Sequence, residues 1–352
     1  MLLFTYLRIS FQTTKNYDSL LQYTIVMMYH KNETENETEN KKPKNNINID
    51  IDHYVSKLID NLPDTIKNKT QNIDLVLDGG VFNGSYLVGI LYFLKEMERR
   101  KYIQIKRISG CSIGSVVGLL YFIDALDMMP ELYELANKDL NEHYSLKLVT
   151  DMKKHIQHKI PDDICCKIRN KFFICYNNVK KQKKIVKSKY KNIDDLINTI
   201  IKSCYVPYLI DGNLLYQNKY FDGVNPYTFE KKPDRKILHI NLFGYENIMN
   251  VLNIKNEKTN FHRILTGLLD VHNFYIKGSK TTLCNYVDNR SIIDHFSNHM
   301  KLFMEKLIFI FIHMILYLKK YMPHDIDDYF IVKVLSNITR DIFILLLKTY
   351  FI

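Results

Sequence analysis

The clearest pattern of apolar and polar positions lies between residues 73 and 123. Residues 73–77 (IDLVL) and 103–109 (IQIKRIS) are short apolar runs rich in β-branched side chains, which is typical of buried strands in a parallel sheet. Residues 84–102 and 113–123 are longer and largely apolar, which predicts two buried helices. The order strand, helix, strand, helix predicts an α/β fold with a central, mostly parallel sheet flanked by helices.

The pattern continues with less regularity through the rest of the chain. Residues 124–160 have apolar positions three and four apart, so we expect helices that cover the sheet. Further along, we predict strands at residues 171–179, 183–190 and 236–245, a helix at 193–205 and apolar helices beyond residue 300.

Composition divides the chain into four regions. Residues 30–50 are polar, carry a tandem Asn-Glu-Thr-Glu repeat and offer almost nothing to bury, so we expect a disordered linker there. The apolar stretch at the N-terminus is too short for a secretion signal, so we expect an intracellular protein, cytoplasmic or peripherally bound to a membrane. The predicted regions are an N-terminal extension at 1–29, a low-complexity linker with a leading helix at 30–70, an α/β domain at 71–250 and a C-terminal helical region at 251–352.

The chain is basic, with a net charge of +11, and seven of its lysines lie between Lys180 and Lys191. This stretch is either a patch for anionic lipid headgroups or an edge strand whose lysines face water. Lysines without interleaved arginine read bases poorly, so we expect no nucleic-acid partner. The apolar run at 307–318 is too short to span a bilayer, which leaves a packed helix or a helix lying on a membrane. The six cysteines show no zinc-ligand spacing, and we expect neither metal nor cofactor.

The motif GCSIGS places Ser112 between the second predicted strand and the second predicted helix. Gly110 and Gly114 stand two residues away on either side, which is the G-x-S-x-G pattern of a nucleophile on a sharp strand-to-helix turn. The start of a helix also favours developing negative charge. The sequence therefore predicts a catalytic serine, with a purely structural turn as the alternative.

A second glycine-rich loop, DGGVFNG at residues 78–84, follows the neighbouring predicted strand. It emerges at the same edge of the sheet as Ser112, and Gly79, Gly80 and Gly84 let backbone N–H groups turn outward. A serine that attacks an ester needs such donors for the oxyanion that it creates. We therefore predict an oxyanion loop, since the motifs of nucleotide-binding loops are missing here.

Two kinds of base are open for the serine. Asp222 follows a short aromatic strand and precedes Gly223, so it is a candidate general base as well as a candidate for an ordinary Asp-Gly turn. A Ser-His-Asp triad is the alternative. The candidate histidines for that triad are His239, His262, His272, His295, His299, His313 and His324.

In their order and spacing, DGGVFNG, GCSIGS and DGV resemble the motifs of the patatin-like phospholipases, including those of giant DNA viruses. The resemblance runs from about residue 73 to about residue 245, and IIKSCYVPYLI looks like the helix and proline turn before the family's aspartate. It implies a phospholipase A or esterase that needs no calcium, has Ser112 as nucleophile and Asp222 as base, and works through an acyl-enzyme. The loop glycines carry over to Gly79, Gly80 and Gly84.

Three positions depart from the family's pattern. Val81 stands where the family has a third consecutive glycine, Asn83 where it has a basic residue, and Val224 where it has glycine or alanine. These departures leave open a catalytically weak or inactive lipid-binding protein on the same fold. In either case we expect a phospholipid or other acyl lipid as ligand, with a membrane surface contacted through Lys180 to Lys191 and the C-terminal apolar helix.

Overall fold

A computed structural model describes residues 46–242, 257, 259–321, 338, 341, 342, 344, 345, 348 and 349, and only the backbone of 46–50 and 319–321. The predicted N-terminal extension at 1–29 and residues 30–45 of the predicted linker lie outside these residues.

Seven strands of the described residues form one sheet: β1 (Gln71–Leu77), β2 (Ile103–Cys111), β3 (Phe172–Asn178), β4 (Lys183–Lys187), β5 (Tyr220–Asp222), β6 (Lys236–Ile240) and β7 (Cys284–Tyr286). Their order is β4-β3-β2-β1-β6-β7, and β5 also pairs with β3. The central pairs formed by β1, β2, β3 and β6 are parallel, whereas β4, β5 and β7 pair antiparallel. This arrangement confirms the predicted central, mostly parallel sheet.

The helices of the described residues are α1 (Asn46–Asp60), α2 (Asp64–Lys67), α3 (Gly84–Arg99), α4 (Ile113–Phe122), α5 (Met129–His143), α6 (Leu148–Ile156), α7 (Ile164–Lys167), α8 (Ile193–Cys204), α9 (Phe261–Lys277) and α10 (Ile292–Tyr321). Helices α3, α4 and α8 begin where the sequence predicts them, and α5 and α6 confirm the predicted helices at 124–160. Their apolar faces join the strands in one buried core, in which Leu75, Leu87 and Leu119 have no exposed surface.

Helix α1 corrects the predicted disordered linker at residues 30–50, because it begins at Asn46. The physical reason is an apolar stripe that begins just after the polar segment and anchors the helix to the core. Ile51, Val55 and Ile59 recur every four residues, and all three are buried in the core.

Both ends of the sheet differ in detail from the predicted pattern. Beyond residue 250, the region predicted as helical also contributes β7, whose three residues are too few for a readable pattern. At the other end, the lysine-rich stretch forms the predicted edge strand β4, and Lys181 and Lys183 are exposed. Lys184 and Lys187, however, are partly buried in ion pairs with Glu305 at 2.9 Å and Asp195 at 2.5 Å.

Helix α10 includes the apolar run predicted at 307–318. Many of its large apolar side chains are exposed, among them Ile292, Phe296, Ile310 and Tyr317, each with more than 60% of its surface accessible. No helix among the described residues combines the length and the apolar character needed to cross a bilayer.

Candidate active site

Ser112 lies on a sharp turn between β2 and α4. Strand β2 ends at Cys111, helix α4 begins at Ile113, and the serine has φ 49° and ψ −131°. A Cβ at Gly110 would come within 2.5 Å of the Gly114 carbonyl oxygen, and one at Gly114 within 2.6 Å of the last carbonyl oxygen of β1. Both positions therefore require glycine, as the catalytic interpretation of the motif expects, and Ser112 itself is buried, with 6% of its surface accessible.

The glycine loop at 78–84 touches this turn, because β1 and β2 are parallel neighbours. A Cβ at Gly79 would stand 2.9 Å from the Cβ of Ser112. Gly80 has φ 147°, and the N–H groups of these two glycines find no backbone acceptor in the described part of the chain. Val81 has φ 39°, a strained conformation for a β-branched residue. The loop thus brings free N–H donors next to the serine.

The last two loop residues, Asn83 and Gly84, contact neighbouring elements of the fold. Asn83 is fully buried, its Oδ1 accepts a hydrogen bond from Arg263 of α9 at 2.8 Å, and its Nδ2 donates to the Leu242 carbonyl at 3.3 Å. Gly84 begins α3 and packs against Ile113, where a Cβ would stand 2.2 Å from Cγ1. The Asn83 side chain therefore links the loop to Arg263 of α9 and to the Leu242 carbonyl.

Asp222 reaches Ser112 because β2 and β5 pair with the same strand. Strand β2 pairs with β3 as far as Cys111 opposite Cys175, and β5 pairs with β3 from Asp222 opposite Tyr176 onward. The ends of β2 and β5 consequently meet head to head. The Ser112 hydroxyl therefore lies near the Asp222 carboxylate and favours its charged form, which lowers the pKa of Asp222.

Burial raises the pKa of Asp222 to about 7. Hydrogen bonds from the backbone N–H groups of Val224 and Gly223 and from the Ser112 side chain act in the opposite direction, and the negative charge of Glu305 adds to the rise. Gly223 and Val224 form the turn after β5, and the Val224 N–H lies 3.3 Å from Asp222 Oδ1. A carboxyl group with a pKa near neutrality is suited to take up a proton and give it back.

Ser203, in the last turn of α8, joins the serine turn to the aspartate turn. Its carbonyl oxygen accepts hydrogen bonds from the N–H groups of Ser112 at 3.1 Å and Gly223 at 3.3 Å. Its hydroxyl donates to the Cys175 carbonyl at 2.6 Å and lies 3.0 Å from the Ser112 nitrogen. The Ser112 N–H is therefore engaged. Sequence reasoning missed Ser203, although it lies in the segment IIKSCYVPYLI that carries part of the family resemblance.

Glu305 of α10 supports Asp222 from farther along the chain. This buried carboxylate accepts hydrogen bonds from Asn177 at 3.0 Å, Asn225 at 2.9 Å and Lys184 at 2.9 Å. Asn177 also donates to the Asp222 carbonyl at 2.8 Å. Sequence reasoning missed Glu305, since no motif marks a single glutamate within an apolar helix.

The described histidines leave Ser112 without an imidazole partner. His239 instead lies 3.0 Å from Asp78, whose other oxygen accepts from Lys301 at 2.8 Å. Arg290 donates to the second ring nitrogen of His239 at 3.0 Å. Although burial opposes it, the charge of Lys301 and the contact with His239 hold the pKa of Asp78 well below its usual range. Of the other candidates, His262, His272, His295, His299 and His313 make no hydrogen bond to the serine, and His324 lies outside the described residues.

Ser112 lines an apolar cleft. Helices α4, α5 and α6 supply much of its wall, and Val81 and Phe82 of the glycine loop close it near the serine. Other lining side chains are Val116, Met129, Leu132, Tyr133, Ala136 and Met152. Within the described residues, no three His, Cys, Asp or Glu side chains are grouped to hold a metal ion.

The chain is similar to one known protein family and to a solved structure. The sequence model of the family Patatin-like phospholipase matches residues 75–228, a range that includes the glycine loop, Ser112 and Asp222. Among solved structures, VipD from Legionella pneumophila matches at 13% sequence identity and a TM-score of 0.31, over 48% of this chain and 49% of the VipD chain. The chain thus spans about half the length of VipD, and no curated protein matches it. Residues 75–228 are therefore a patatin-like phospholipase domain, which places this part of the chain in a family of lipid acyl hydrolases.

Proposed function

We propose that the protein hydrolyses acyl esters of phospholipids or other lipids with Ser112 as nucleophile and Asp222 as general base. The observation that carries the proposal is the meeting of the ends of β2 and β5, which brings Asp222 to Ser112 at the wall of an apolar cleft. Ser112 lines the cleft at the end of β2, and Asp222 stands at the end of β5 next to it, so the proposed base is an aspartate and no histidine is needed.

The reaction proceeds in two half-reactions. The Ser112 oxygen bonds to the acyl carbon while its proton passes to Asp222, and the carbonyl oxygen becomes an oxyanion. Collapse of this intermediate breaks the bond to the leaving alkoxide, which takes the proton from Asp222. Water then gives a proton to Asp222 and attacks the acyl-enzyme, and the fatty acid leaves as the serine recovers its proton.

The glycine loop is the source that we propose for the oxyanion donors. The N–H groups of Gly79 and Gly80 have no backbone acceptor among the described residues, whereas the N–H of Ser112 is bound to Ser203. Donors fixed before the reaction cost no reorganisation when charge develops, and losing one such donor typically slows catalysis about 10²- to 10³-fold.

The experiment that tests the proposal is labelling with a fluorophosphonate probe, followed by intact mass measurement. Wild type should gain one adduct, which Ser112→Ala and Asp222→Asn should both lose. Ser109→Ala, a buried serine three residues earlier, is the matched control and should label normally. Folding is checked for every variant by circular dichroism.

Two other outcomes would contradict the proposal in different ways. A folded wild type that gains no adduct would favour the inactive lipid-binding alternative. Labelling that survives Asp222→Asn but is lost in His239→Asn or another histidine variant would favour a triad.

The cleft suggests how the acyl chain binds. Its wall is almost entirely apolar, and burying each CH₂ group contributes about 0.8 kcal/mol, so a fatty acyl chain is the ligand that fits it. Ala136→Phe, which fills part of the cleft, should lower kcat/KM for long-chain esters at least 10-fold and leave short-chain esters little changed. Glu134→Phe, exposed on the same helix and outside the cleft, is the control. Equal losses for both chain lengths would place the acyl chain elsewhere.

Helix α10 supports membrane docking as part of the same function. Its exposed apolar side chains lie beside the lysine-rich edge strand, since Glu305 of the helix is paired with Lys184 of that strand. Apolar side chains next to lysines suit the surface of an anionic bilayer. Phe303→Glu with Phe311→Glu should abolish sedimentation with phosphatidylserine vesicles, and His299→Glu should not. Unchanged sedimentation would remove α10 from the docking surface.

A further inference from the structure

A fully buried arginine contacts Asn83 of the glycine loop. Arg263 of α9 has no exposed surface, and its guanidinium donates to Asn83 Oδ1 at 2.8 Å. It also donates to Glu257, with the shortest contact at 2.8 Å, so the two form an ion pair in which the guanidinium is buried and the carboxylate is partly exposed. A guanidinium in such a site is tolerated because its charge and its donors have partners.

The ion pair is connected to the wall of the apolar cleft. The hydroxyl of Tyr133 donates to Glu257 at 2.7 Å, and hydrogen bonds from Tyr133, Arg263 and His262 lower the pKa of Glu257 to about 2 although burial opposes them. The Tyr133 ring packs edge-on against Phe82 of the loop, with the ring centres 5.3 Å apart. The loop, the cleft and α9 are thus joined through one set of contacts.

Asn83 connects this set of contacts to the turn that follows Gly80. Both ends of its side-chain amide are held, by Arg263 and by the Leu242 carbonyl, and its backbone N–H donates to the Gly80 carbonyl at 2.8 Å. Asn83 therefore fixes the short turn that follows Gly80. Since Val81 in this turn is strained, the conformation persists only because its surroundings hold it.

We infer that Arg263 is a positioning residue for the glycine loop: acting through Asn83, it keeps the N–H groups of Gly79 and Gly80 aimed at the oxyanion beside Ser112. This inference rests on the proposed function. Arg263 itself does not touch the substrate, because Asn83 lies between it and the loop donors.

The kinetic test compares wild type, Arg263→Met with Glu257→Gln, and Asn83→Ala. Removing both charges of the ion pair avoids leaving Glu257 without its cation. Each change should lower kcat for a soluble acyl ester about 10- to 100-fold with KM changed less than about 3-fold, because misplaced loop donors affect mainly the transition state. The fluorophosphonate-labelled fraction corrects each rate for the amount of active protein.

A variant that combines the three substitutions tests whether Arg263 acts on the glycine loop through Asn83 or stabilises the site independently of it. If Arg263 acts through Asn83, the combined variant should be no slower than the slower of its two parents, since effects carried by one contact do not add. Additive losses, or an unchanged kcat in Arg263→Met with Glu257→Gln, would overturn the inference while leaving the Ser112 and Asp222 proposal intact.

A second measurement does not depend on activity. Hydrogen–deuterium exchange of peptides covering 79–84 should speed up at least about 10-fold in Arg263→Met with Glu257→Gln, while peptides from β2 stay protected. Unchanged exchange in the loop would also overturn the inference. Absence of labelling at Ser112 in wild type, by contrast, would refute the proposed function, and the exchange result would still decide whether Arg263 holds the loop.

Discussion

Two aspartates at the carboxyl ends of strands, Asp78 and Asp222, have opposite electrostatic surroundings. Asp78 follows β1 and is paired with Lys301 at 2.8 Å and His239 at 3.0 Å, so its pKa lies well below the usual range. Asp222 ends β5, has the carboxylate of Glu305 near it, and its pKa is raised to about 7. Both are aspartates at the same edge of the sheet, yet Asp78 stays ionised near neutral pH whereas Asp222 titrates there.

The difference assigns the two carboxylates different tasks. A carboxylate that stays ionised is a fixed partner for cations, whereas one whose pKa lies near the working pH can exchange a proton with a serine. We therefore expect substitutions at Asp78 to affect stability first, and substitutions at Asp222 to affect chemistry first.

The largest effect should come from Asp78→Asn. It leaves the charge of Lys301 without its buried partner, which costs about 3–5 kcal/mol of unfolding free energy. Chemical denaturation measures this loss. Asp78→Asn with Lys301→Met should recover part of the stability, because the ammonium that lost its buried carboxylate is removed as well. A wild-type midpoint for Asp78→Asn alone would show that the pair is not a structural one.

Asp222→Asn should behave in the opposite way, with lost activity and a gain in stability that depends on pH. Because the pKa of Asp222 is raised above the value of about 3.9 for an unfolded aspartate, its contribution to stability is complete below about pH 4 and is lost as the pH rises through about 7. The Tm of Asp222→Asn relative to wild type should therefore increase from pH 4 to pH 8.

Two controls belong to this measurement. Ser112→Ala keeps the carboxylate and should show no such trend. The stability lost in Asp78→Asn should stay constant from pH 5 to pH 8, because a lowered pKa removes its contribution only below about pH 4. A flat Tm difference for Asp222→Asn would mean that Asp222 is ionised at all these pH values.

Much of this comparison follows from sequence, and part of it does not. The strand-turn-helix context of Ser112 and the glycine loop could be predicted because short apolar runs and glycine spacing are local signals. Local sequence made Asp222 one of several candidate bases for Ser112, and only the family resemblance favoured it, since their meeting depends on β2 and β5 sharing β3.

The supports of the site were not predictable from local patterns. Arg263 and Glu305 belong to helices far along the chain, where a single charged residue in an apolar helix carries no motif. Ser203 acts through its backbone carbonyl as well as its hydroxyl, and a backbone contact leaves no trace in residue type. The structure was needed to bring these three to the turns that they hold.

A smaller effect is expected from Glu305→Gln, which removes the negative charge that helps to raise the pKa of Asp222. In the proposed mechanism activity requires ionised Asp222, so the rate should rise with pH around a midpoint near 7 in wild type. In Glu305→Gln this midpoint should move to lower pH, as measured by kcat/KM against pH. Lys184→Met keeps the charge of Glu305, and its midpoint should not fall. A Glu305→Gln midpoint at or above that of wild type would separate Glu305 from the titration of Asp222.

The smallest effect concerns the valine in the turn after Asp222. Val224 has φ 48°, a left-handed conformation that costs a residue with a Cβ about 1–2 kcal/mol and costs glycine almost nothing. Glycine adds about 0.4–1 kcal/mol of freedom to the unfolded chain, so Val224→Gly should stabilise the protein by at most about 1 kcal/mol. Val186→Gly, at an exposed strand position of ordinary φ, should destabilise it instead. The Val224 N–H is hydrogen-bonded to Asp222, so the turn could help to position this carboxylate. A gain in stability with unchanged kcat would mean that the strained φ of Val224 is not needed for catalysis. A fall in kcat would mean that the strained turn helps to position Asp222 against Ser112.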